Sequence, residues 1–270
     1  MIVEFKSATG AWLHVLSSII ARGAITNPRG MPTREVLHNS VAFNMLRPVV
    51  SVPARKLSYK FLAAEAFWIL SGDNRVETIA PYNKNIAQFS DDGKTFFGAY
   101  GPKVAAQIDF VVKSLLGDRM TRQAVITLWR ENPPATKDVP CTVALTFNIR
   151  DGRLNCHVFM RSSDAWLGFP YDVFNFSMIA LNVLSSYNEN VSDPKANHAR
   201  LGTLYFTAVS SHLYQKNWED AATCFNFSEH DAADEPLHDM VYLRRDFDRI
   251  LEDLCALMAE KETKWQIRPR

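Results

Sequence analysis

Glu65 stands at helical spacing from Phe61 and Trp68, so its carboxylate projects from the apolar face of a predicted helix. A buried carboxylate is costly unless it is paired, and burial raises its pKa. Two interpretations are open at this point. Glu65 is either a structural carboxylate that meets an arginine elsewhere, or a general acid or base.

Cys141 follows Val139 and Pro140 at the start of a predicted strand, where a side chain can reach a cleft. A single cysteine is more often a small buried hydrophobe than a nucleophile. As a nucleophile it needs a neighbouring cation to hold the thiolate. If Asp151-Gly152 forms the turn of the following hairpin, Arg161 returns level with Cys141 and supplies that cation.

The segment 161–172, RSSDAWLGFPYD, concentrates polar groups between a predicted strand and a predicted helix. Asp172 alone fits an N-cap, and the two serines fit loop capping. A cation, two hydroxyls and two carboxylates together exceed what capping requires. The segment therefore predicts a ligand site.

Three arginines stand beside turns or strand ends, where a guanidinium group can grip a phosphate through two hydrogen bonds. Each is weak evidence by itself, because most arginines are solvated surface residues. Together with a hydroxyl of the polar segment they predict a phosphate clamp made of Arg29, Arg122, Arg161 and Ser162.

Long helical patterns and strand patterns alternate along the chain, which predicts an α+β fold with a mixed β-sheet packed against helices. No Pro/Gly/Ser-rich linker divides the sequence, so residues 1–270 are predicted to form a single domain. The predicted helices cover 11–21, 59–70, 104–115, 173–184 and 243–258, and the predicted strands cover 36–46, 124–129, 142–150, 153–160 and 204–209.

The composition excludes several functional classes. The 270 residues include 30 Lys+Arg and 29 Asp+Glu, a formal net charge of +1, so no long-range field attracts a polyanion or an acidic membrane. We expect neither a nucleic-acid nor a membrane partner. The four cysteines form no CxxC pair and no metal-ligand spacing, and the N-terminus lacks a signal-peptide pattern. These features predict reduced thiols, no metal site and a cytoplasmic protein, with Cys156, Cys224 and Cys255 as small hydrophobes.

Four motifs in this order resemble those of the thymidylate synthase family. Residues 64–74 (AEAFWILSGDN) resemble the E-L-x-W-x-L-x-G-D-T-N segment, and Pro140-Cys141 resembles the nucleophile motif. Residues 161–172 resemble the R-S-x-D-x-x-L-G-x-P-F-N signature, and residues 211–214 (SHLY) resemble T-H-L-Y. The similarity extends more weakly from about 11 to 225. It implies a thymidylate synthase-like fold, with the sheet at the interface of a homodimer.

The resemblance also implies a reaction: transfer of a one-carbon unit from 5,10-methylenetetrahydrofolate to C5 of a pyrimidine monophosphate. Cys141 would add to C6 of the base, which makes C5 nucleophilic, and Glu65 would move protons through ordered water. The resemblance assigns the phosphate to Arg29, Arg161, Ser162 and the partner subunit's Arg122, the base and sugar to Tyr100, Asp172, His212 and Tyr214, and the folate to Asp164, Trp68 and Gly168.

Asp172 departs from the family pattern, because thymidylate synthases carry an Asn there that reads N3–H and O4 of uracil. Cytosine presents an N3 acceptor and an N4 donor. A protonated carboxyl can donate to N3, accept from the amino group and supply a proton as charge develops on the ring. The same change is similar to that of the (deoxy)cytidylate hydroxymethylases. It predicts a cytidylate 5-hydroxymethylase that acts on CMP or dCMP.

Three further departures agree with this prediction. Met160 precedes the Arg-Ser pair where Gln is usual, and Gln123 stands where a second cross-subunit Arg is usual. Residues 265–270, WQIRPR, lack the short apolar tail that closes a thymidylate synthase over its ligands. A less sealed site would let water capture the one-carbon adduct, which gives a hydroxymethyl rather than a methyl product.

Two alternatives accompany this prediction. One is a thymidylate synthase or a cytidylate C5-methyltransferase, and the other is a non-catalytic nucleotide-binding relative. Retention of both Cys141 and Glu65 argues against the second, because binding needs neither. The sequence leaves both CMP and dCMP open as substrates, and Lys137 and Asn175 are candidate contacts for the sugar. Both phage DNA modification and nucleoside-antibiotic synthesis stay open as pathways.

Overall fold

The computed structural model describes residues 2–228 and 236–259. Its centre is a seven-stranded mixed sheet with the strand order β1-β3-β7-β6-β5-β4, and β2 pairs with β3 beside this path. The strands are β1 (Val3–Phe5), β2 (Ala24–Thr26), β3 (Thr33–Asn44), β4 (Val125–Thr127), β5 (Thr142–Arg150), β6 (Arg153–Asp164) and β7 (Arg200–Tyr214).

Helices cover one face of this sheet, so the predicted α+β architecture is confirmed. The two longest helices, α4 and α5, pack against each other, and α2 packs against both. The helices are α1 (Ala8–Arg22), α2 (Tyr59–Leu70), α3 (Val76–Ile79), α4 (Gly101–Gly117), α5 (Phe169–Asn190), α6 (Pro194–Asn197), α7 (Trp218–Thr223) and α8 (Arg244–Ala259).

The hairpin of β5 and β6 turns at Asp151-Gly152, as predicted. Both turn residues have positive φ, 50° and 71°, the backbone conformation that a tight type I′ turn requires. Arg150 consequently pairs with Arg153, and the ladder runs to the other end of the hairpin, where the Arg161 amide donates to the Cys141 carbonyl at 2.9 Å. The turn, together with a one-residue register shift between Thr142 and Ala144, therefore fixes which residue of β6 faces Cys141.

The predicted strand over 204–209 is much too short. β7 runs from Arg200 to Tyr214 and pairs antiparallel with β3 and parallel with β6. Its ends contain glycine, serine and histidine, which weaken the apolar signal, whereas hydrogen bonds to a neighbour on each side hold them as strand. β6 likewise extends beyond the predicted end, to Asp164. Because both strands are long, Asp164 and His212 pair side by side.

The helix α5 lies at the centre of the core, and nearly all of its side chains are buried, as its apolar pattern predicted. Phe169 at its start packs edge-on against Phe206 of β7, with ring centroids 4.9 Å apart. Cys156 and Cys224 are buried as predicted, but Cys255 is exposed. It lies on α8, whose other face packs against α2, so the prediction of a small buried hydrophobe is wrong there.

The sheet face opposite the helices carries half-buried and exposed side chains, among them Phe159 and Val209, each 43% exposed. The ring of His157 stacks on Tyr205 there at 4.6 Å. This is the face that the sequence analysis expects at a homodimer interface. Within the described ranges, none of the helices has the length and apolar character needed to cross a membrane.

Phe206→Ala tests the packing between sheet and central helix. Because Phe206 is 1% exposed and contacts Phe169, we expect its truncation to lower the free energy of unfolding by about 3–5 kcal/mol. Urea unfolding measures this. Phe110→Ala is the matched control, since Phe110 is 56% exposed on α4 and its loss should cost under about 1 kcal/mol. Equal losses in the two variants would contradict the assignment of the core.

Candidate active site

A cavity of about 180 Å³ opens where α2, α4 and α5 meet the start of β5. It brings together side chains that are far apart in sequence and that the sequence analysis named independently. The predicted site residues that line it are Glu65, Trp68, Tyr100, Cys141, Asp172 and Asn175. The other residues of its wall are Ile69, Ile86, Phe89, Phe96, Gly98, Ala99, Asp138, Val139 and Pro140.

The Cys141 thiol lies beside the cation that the sequence predicted. Nη2 of Arg161 is 3.7 Å from Sγ, and the guanidinium also donates to the carbonyls of Val139 and Pro140, at 2.9 Å each. Burial nevertheless raises the pKa of the thiol, and Asp172 acts in the same direction, while Arg161 opposes both. The resting sulfur is therefore a neutral thiol with its counter-cation already in place.

Glu65 meets an amide rather than an arginine, so the structural ion-pair interpretation is wrong. Nδ2 of Asn175 donates to Oε2 of Glu65 at 2.7 Å. Burial, with the nearby Asp172, raises the pKa of Glu65 to about 8, against the opposing effect of the Asn175 hydrogen bond. A carboxyl group that exchanges its proton near neutral pH is suited to acid–base work. Asn175 thus binds Glu65 through its Nδ2, and its predicted contact with the sugar stays a prediction.

Asp172 is the fourth residue of α5, and Gly168 is the N-cap, so the capping interpretation of Asp172 is wrong. Burial raises the pKa of Asp172 to about 7, and the charge of Asp164 adds to the rise. A Cβ at position 168 would lie 3.1 Å from Oδ2 of Asp172, tighter than ordinary contacts. Gly168 thus gives the carboxyl room, and its predicted folate contact stays a prediction.

Tyr100 immediately precedes α4, and its ring stacks near Phe176 of α5 at 6.4 Å. Its hydroxyl accepts a hydrogen bond from Oγ1 of Thr142 at 2.8 Å, and Thr142 directly follows Cys141 in the chain. Burial raises the pKa of this phenol well above its ordinary value, so it stays neutral. The loop before α4 is thereby bound to the strand that carries the thiol.

A second group of predicted residues gathers at the ends of β6 and β7. Oγ of Ser162 lies 3.4 Å from Nδ1 of His212, and the rings of His212 and Tyr214 meet edge-on at 5.2 Å. Arg29 has a left-handed backbone conformation with φ 54° in the turn before β3. Burial lowers the pKa of His212, and the charge of Arg29 acts in the same direction. The structure thus brings Arg29, Ser162 and His212 close together.

Arg122 is not part of this group within one chain. It lies exposed in the turn between α4 and β4, beside the hairpin-turn end of β5, where Arg150 donates to the carbonyl of Met120. Cys141 lies at the other end of β5. Arg122 was predicted to bind the phosphate in the site of the partner subunit, and this contact stays a prediction. The neighbouring Gln123 donates its amide to Thr121.

Asp164 closes the turn that leads into α5. Its Oδ1 accepts hydrogen bonds from the amides of Trp166 and Leu167, at 2.8 and 2.9 Å. The predicted contact of Asp164 with folate stays a prediction. Met160 is buried in the core rather than placed beside a ligand. The backbone amide of Lys137 donates to Asp91, and no sugar contact is assigned to Lys137. Residues 265–270 lie outside the described residues.

Two buried polar atoms of the cavity have no hydrogen-bond partner among the described residues: Nε1 of Trp68 and Oδ1 of Asn175. One is a donor and the other an acceptor. Buried polar groups are nearly always satisfied, so these two are available to a ligand. Trp68 also packs edge-on against Phe96 at 5.6 Å, which gives the cavity an aromatic wall. A ligand with a flat polar ring can contact both the aromatic wall and these two atoms.

The sequence analysis missed Asp138, whose Oδ2 accepts a 2.7 Å hydrogen bond from the amide of Gly98. An acidic residue three positions before a candidate nucleophile was the available signal. Among residues 2–228 and 236–259, no cluster of three or more His, Cys, Asp or Glu side chains is arranged to hold a metal ion.

Comparison with known proteins agrees with this geometry. A family model described as thymidylate synthase matches residues 10–234, and the chain belongs to the thymidylate synthase family. A curated relative, the deoxyuridylate hydroxymethyltransferase of Bacillus phage SP01, is 32% identical over 194 residues, which are 63% of this chain and 50% of that protein. The chain thus spans about half the length of this curated relative.

Asp172→Asn tests the electrostatics of the cavity. The folded protein retains the Asp172 proton up to about pH 7, whereas an unfolded chain releases it near pH ~4. Wild-type stability therefore falls as the pH rises through this window, because the unfolded state gains charge first. We expect the amide variant to be more stable than wild type by ~1–3 kcal/mol at pH ~8 and to lose this gain toward pH ~4.

Urea unfolding at several pH values measures the effect. The control is Asp109→Asn, since Asp109 is exposed on α4, and its difference from wild type should stay small at every pH. A variant at position 172 that is no more stable than wild type at alkaline pH contradicts a buried, proton-retaining carboxyl.

Proposed function

We propose that this protein is a cytidylate 5-hydroxymethylase. It converts CMP or dCMP, 5,10-methylenetetrahydrofolate and water into the 5-hydroxymethyl nucleotide and tetrahydrofolate. Family membership supports the coarser statement, one-carbon transfer to C5 of a pyrimidine nucleotide. The observation that carries the finer one is the carboxyl group of Asp172, which shares a cavity with Cys141 and has a pKa of about 7.

Cys141 is the nucleophile in this proposal. Its thiol passes its proton through water to the ionised form of Glu65, the sulfur bonds to C6, and the electron pair of the C5=C6 bond moves onto the ring. Arg161 stabilises the thiolate at 3.7 Å as it forms. A guanidinium already fixed by two backbone carbonyls needs no rearrangement for this task.

Asp172 neutralises the negative charge that this addition places on the base. In cytosine the charge develops at N3, where a protonated carboxyl can donate its proton, while the second oxygen accepts from the 4-amino group. An amide could form similar hydrogen bonds but has no proton of this acidity to give. A carboxyl with a pKa of about 7 is protonated in about half of the molecules at neutral pH, which suits a general acid.

Glu65 handles the remaining proton transfers. Its pKa of about 8 keeps it mostly protonated at neutral pH, and the Asn175 amide fixes the direction of one oxygen. In its ionised form it removes the C5 proton, directly or through one water, and in its acid form it returns a proton. Two carboxyl groups whose protons move in the same pH range let the site give and take protons in one cycle.

The cavity also suits the one-carbon donor of the family, methylenetetrahydrofolate. Trp68 and Phe96 form an aromatic wall for its ring, and the unpaired Nε1 of Trp68 is a free donor. When bound, the folate supplies a one-carbon unit at the oxidation level of formaldehyde. The protein residues position the nucleotide and move its protons.

A second candidate is hydroxymethylation of a uridylate. The observation that favours it is the similarity to the phage relative, a deoxyuridylate hydroxymethyltransferase. That relative supports a hydroxymethyl product in either case, whereas Asp172 favours cytosine as the base. A methyl product, as in thymidylate synthase or a cytidylate methyltransferase, is the third outcome of the test below.

Release of tritium from [5-³H]CMP, [5-³H]dCMP and [5-³H]dUMP in the presence of methylenetetrahydrofolate tests the base. We expect release from a cytidylate at least about tenfold faster than from dUMP, since a matched proton donor is worth 10²–10⁴-fold. Asp172→Asn should reduce cytidylate turnover by about 10²-fold while leaving dUMP turnover within a few-fold. Mass spectrometry of products made in H₂¹⁸O separates hydroxymethyl, which retains the label, from methyl.

Cys141→Ala is the control for chemistry, since it should bind nucleotide and release no tritium. Release from dUMP alone would refute the cytidylate assignment and support the second candidate. Nucleotide binding by wild type without any turnover would support a non-catalytic relative.

We also propose that two chains pair through the uncovered sheet face and that Arg122 crosses to the partner's site. The exposed apolar side chains Phe159 and Val209 lie on that face, and Arg122 has no role within its own chain's cavity. A closed twofold dimer repeats each contact, so both sites gain the same residue. We place the protein in the cytoplasm, where reducing conditions keep Cys141 a free thiol.

Mixed subunits test the shared site. Arg122→Ala and Cys141→Ala homodimers should each have little activity. Mixed and re-equilibrated, they should recover up to about a quarter of wild-type activity, because half of the dimers are hybrids with one complete site. Absence of recovery in a mixture shown by mass to contain hybrids would place Arg122 outside the partner's site.

A further inference from the structure

The loop that leads into Cys141 is bound from two sides. On one side, Arg161 donates to the carbonyls of Val139 and Pro140, at 2.9 Å each. On the other side, Asp91 accepts from the amide of Lys137 at 3.0 Å and from the hydroxyl of Thr136. These contacts hold the chain immediately before the thiol.

Asp138 makes a further contact at the cavity, which both Asp138 and Gly98 line. Its Oδ2 accepts from the amide of Gly98 at 2.7 Å, and a Cβ at position 98 would overlap the Asp138 carbonyl. The loop before α4 and the loop before β5 are therefore in direct backbone contact, which only glycine permits. Tyr100 follows Gly98 by two residues and bonds Thr142, so Asp138 and Tyr100 connect the same two segments on either side of Cys141.

The charges around the thiol come from every neighbouring element. Arg161 of β6 favours the thiolate, while Asp172 of α5, Asp138 of the preceding loop and Asp164 of β6 oppose it. Asp138 itself faces Lys103 of α4 and Asp91. The amino group of Lys103 donates to the carbonyl of Leu128, so its charge is shared with a backbone group. Burial raises the pKa of Asp138, while the facing charge of Lys103 opposes this rise, and the charge of Asp138 acts against ionisation of the sulfur.

We propose that Asp138 is a positioning residue for Cys141: it clamps the thiol loop to the Tyr100 loop and places near the sulfur a carboxylate whose charge is opposite to that of Arg161. The proposal rests on the proposed function only in taking Cys141 as the nucleophile. Clamping fixes the direction from which the sulfur approaches a base. The charge suppresses reaction of the thiol with other electrophiles, because the thiolate is the reactive form.

The test is the pH dependence of Cys141 alkylation by iodoacetamide, without any substrate. Because Cys255 is exposed, the variants are made in a Cys255→Ser background, and peptide mass spectrometry counts the label on Cys141. Asp138→Asn keeps an acceptor for the Gly98 amide but removes the charge. We expect its alkylation at pH ~7 to be about threefold faster or more, a shift of roughly half a pH unit.

Asp138→Ala removes both charge and clamp. It should show the same faster alkylation, with a kcat about tenfold below that of Asp138→Asn and a nearly unchanged KM for the nucleotide, because misplacement of a nucleophile costs rate rather than binding. Asp91→Asn is the matched control. It loosens the same loop at Thr136 and Lys137, farther from the cavity, and should leave the pH profile of alkylation unchanged.

An unchanged alkylation profile in Asp138→Asn overturns the electrostatic part of the proposal. Equal kcat values for the two Asp138 variants overturn the clamp, and a shift in Asp91→Asn equal to that in Asp138→Asn overturns the assignment to Asp138. The alkylation readout needs no turnover, so it stands apart from the proposed function. If wild type turns over none of the nucleotides, the function fails while the alkylation result still decides the electrostatic part.

Discussion

The pairing register of β5, β6 and β7 is the constraint on which the site depends. The turn at Asp151-Gly152 sets the register of the hairpin, and a β-bulge between Thr142 and Ala144 shifts it by one residue, so that Arg161 faces Cys141. The parallel pairing of β6 with β7 sets Asp164 beside His212. Side chains alternate between the two faces of a strand, so a slip of one residue would turn every one of them to the opposite face. The two-residue turn and the β-bulge together thereby position groups at the far end of the sheet.

The cavity contains buried carboxyl groups, which lower the stability of the folded protein when they ionise. Glu65 and Asp172 both retain protons near neutral pH because burial disfavours their charged forms. A neighbouring carboxylate adds to the effect, Asp172 for Glu65 and Asp164 for Asp172. Such groups reduce stability as the pH rises, since the unfolded chain ionises more readily. The largely buried helix α5 and the long central strands compensate by burying much of the apolar surface. Buried carboxyl groups whose pKa values are raised toward neutral pH are typical of sites that transfer protons.

Much of the architecture was predictable from local pattern. Apolar periodicity predicted α2 at its observed bounds, Tyr59–Leu70, and the Asp-Gly turn predicted the hairpin. The failures were at strand ends: β7 was predicted at less than half of its 15 residues. Its outer residues are polar or small, and what holds them as strand is pairing with β3 and β6, which no local window contains.

The sequence by itself determined the chemical types of the site residues. Motif order named Cys141, Glu65 and Asp172, and the hairpin turn placed Arg161 beside the thiol, because these depend on residue identity and short-range geometry. Only the tertiary structure decided their states. That Glu65 bonds Asn175, that Cys141 rests as a neutral thiol, and that Asp138 closes the loop onto Gly98 depend on desolvation and on partners distant in sequence. A proton's free energy depends on everything packed around it, and that packing exists only in the folded chain.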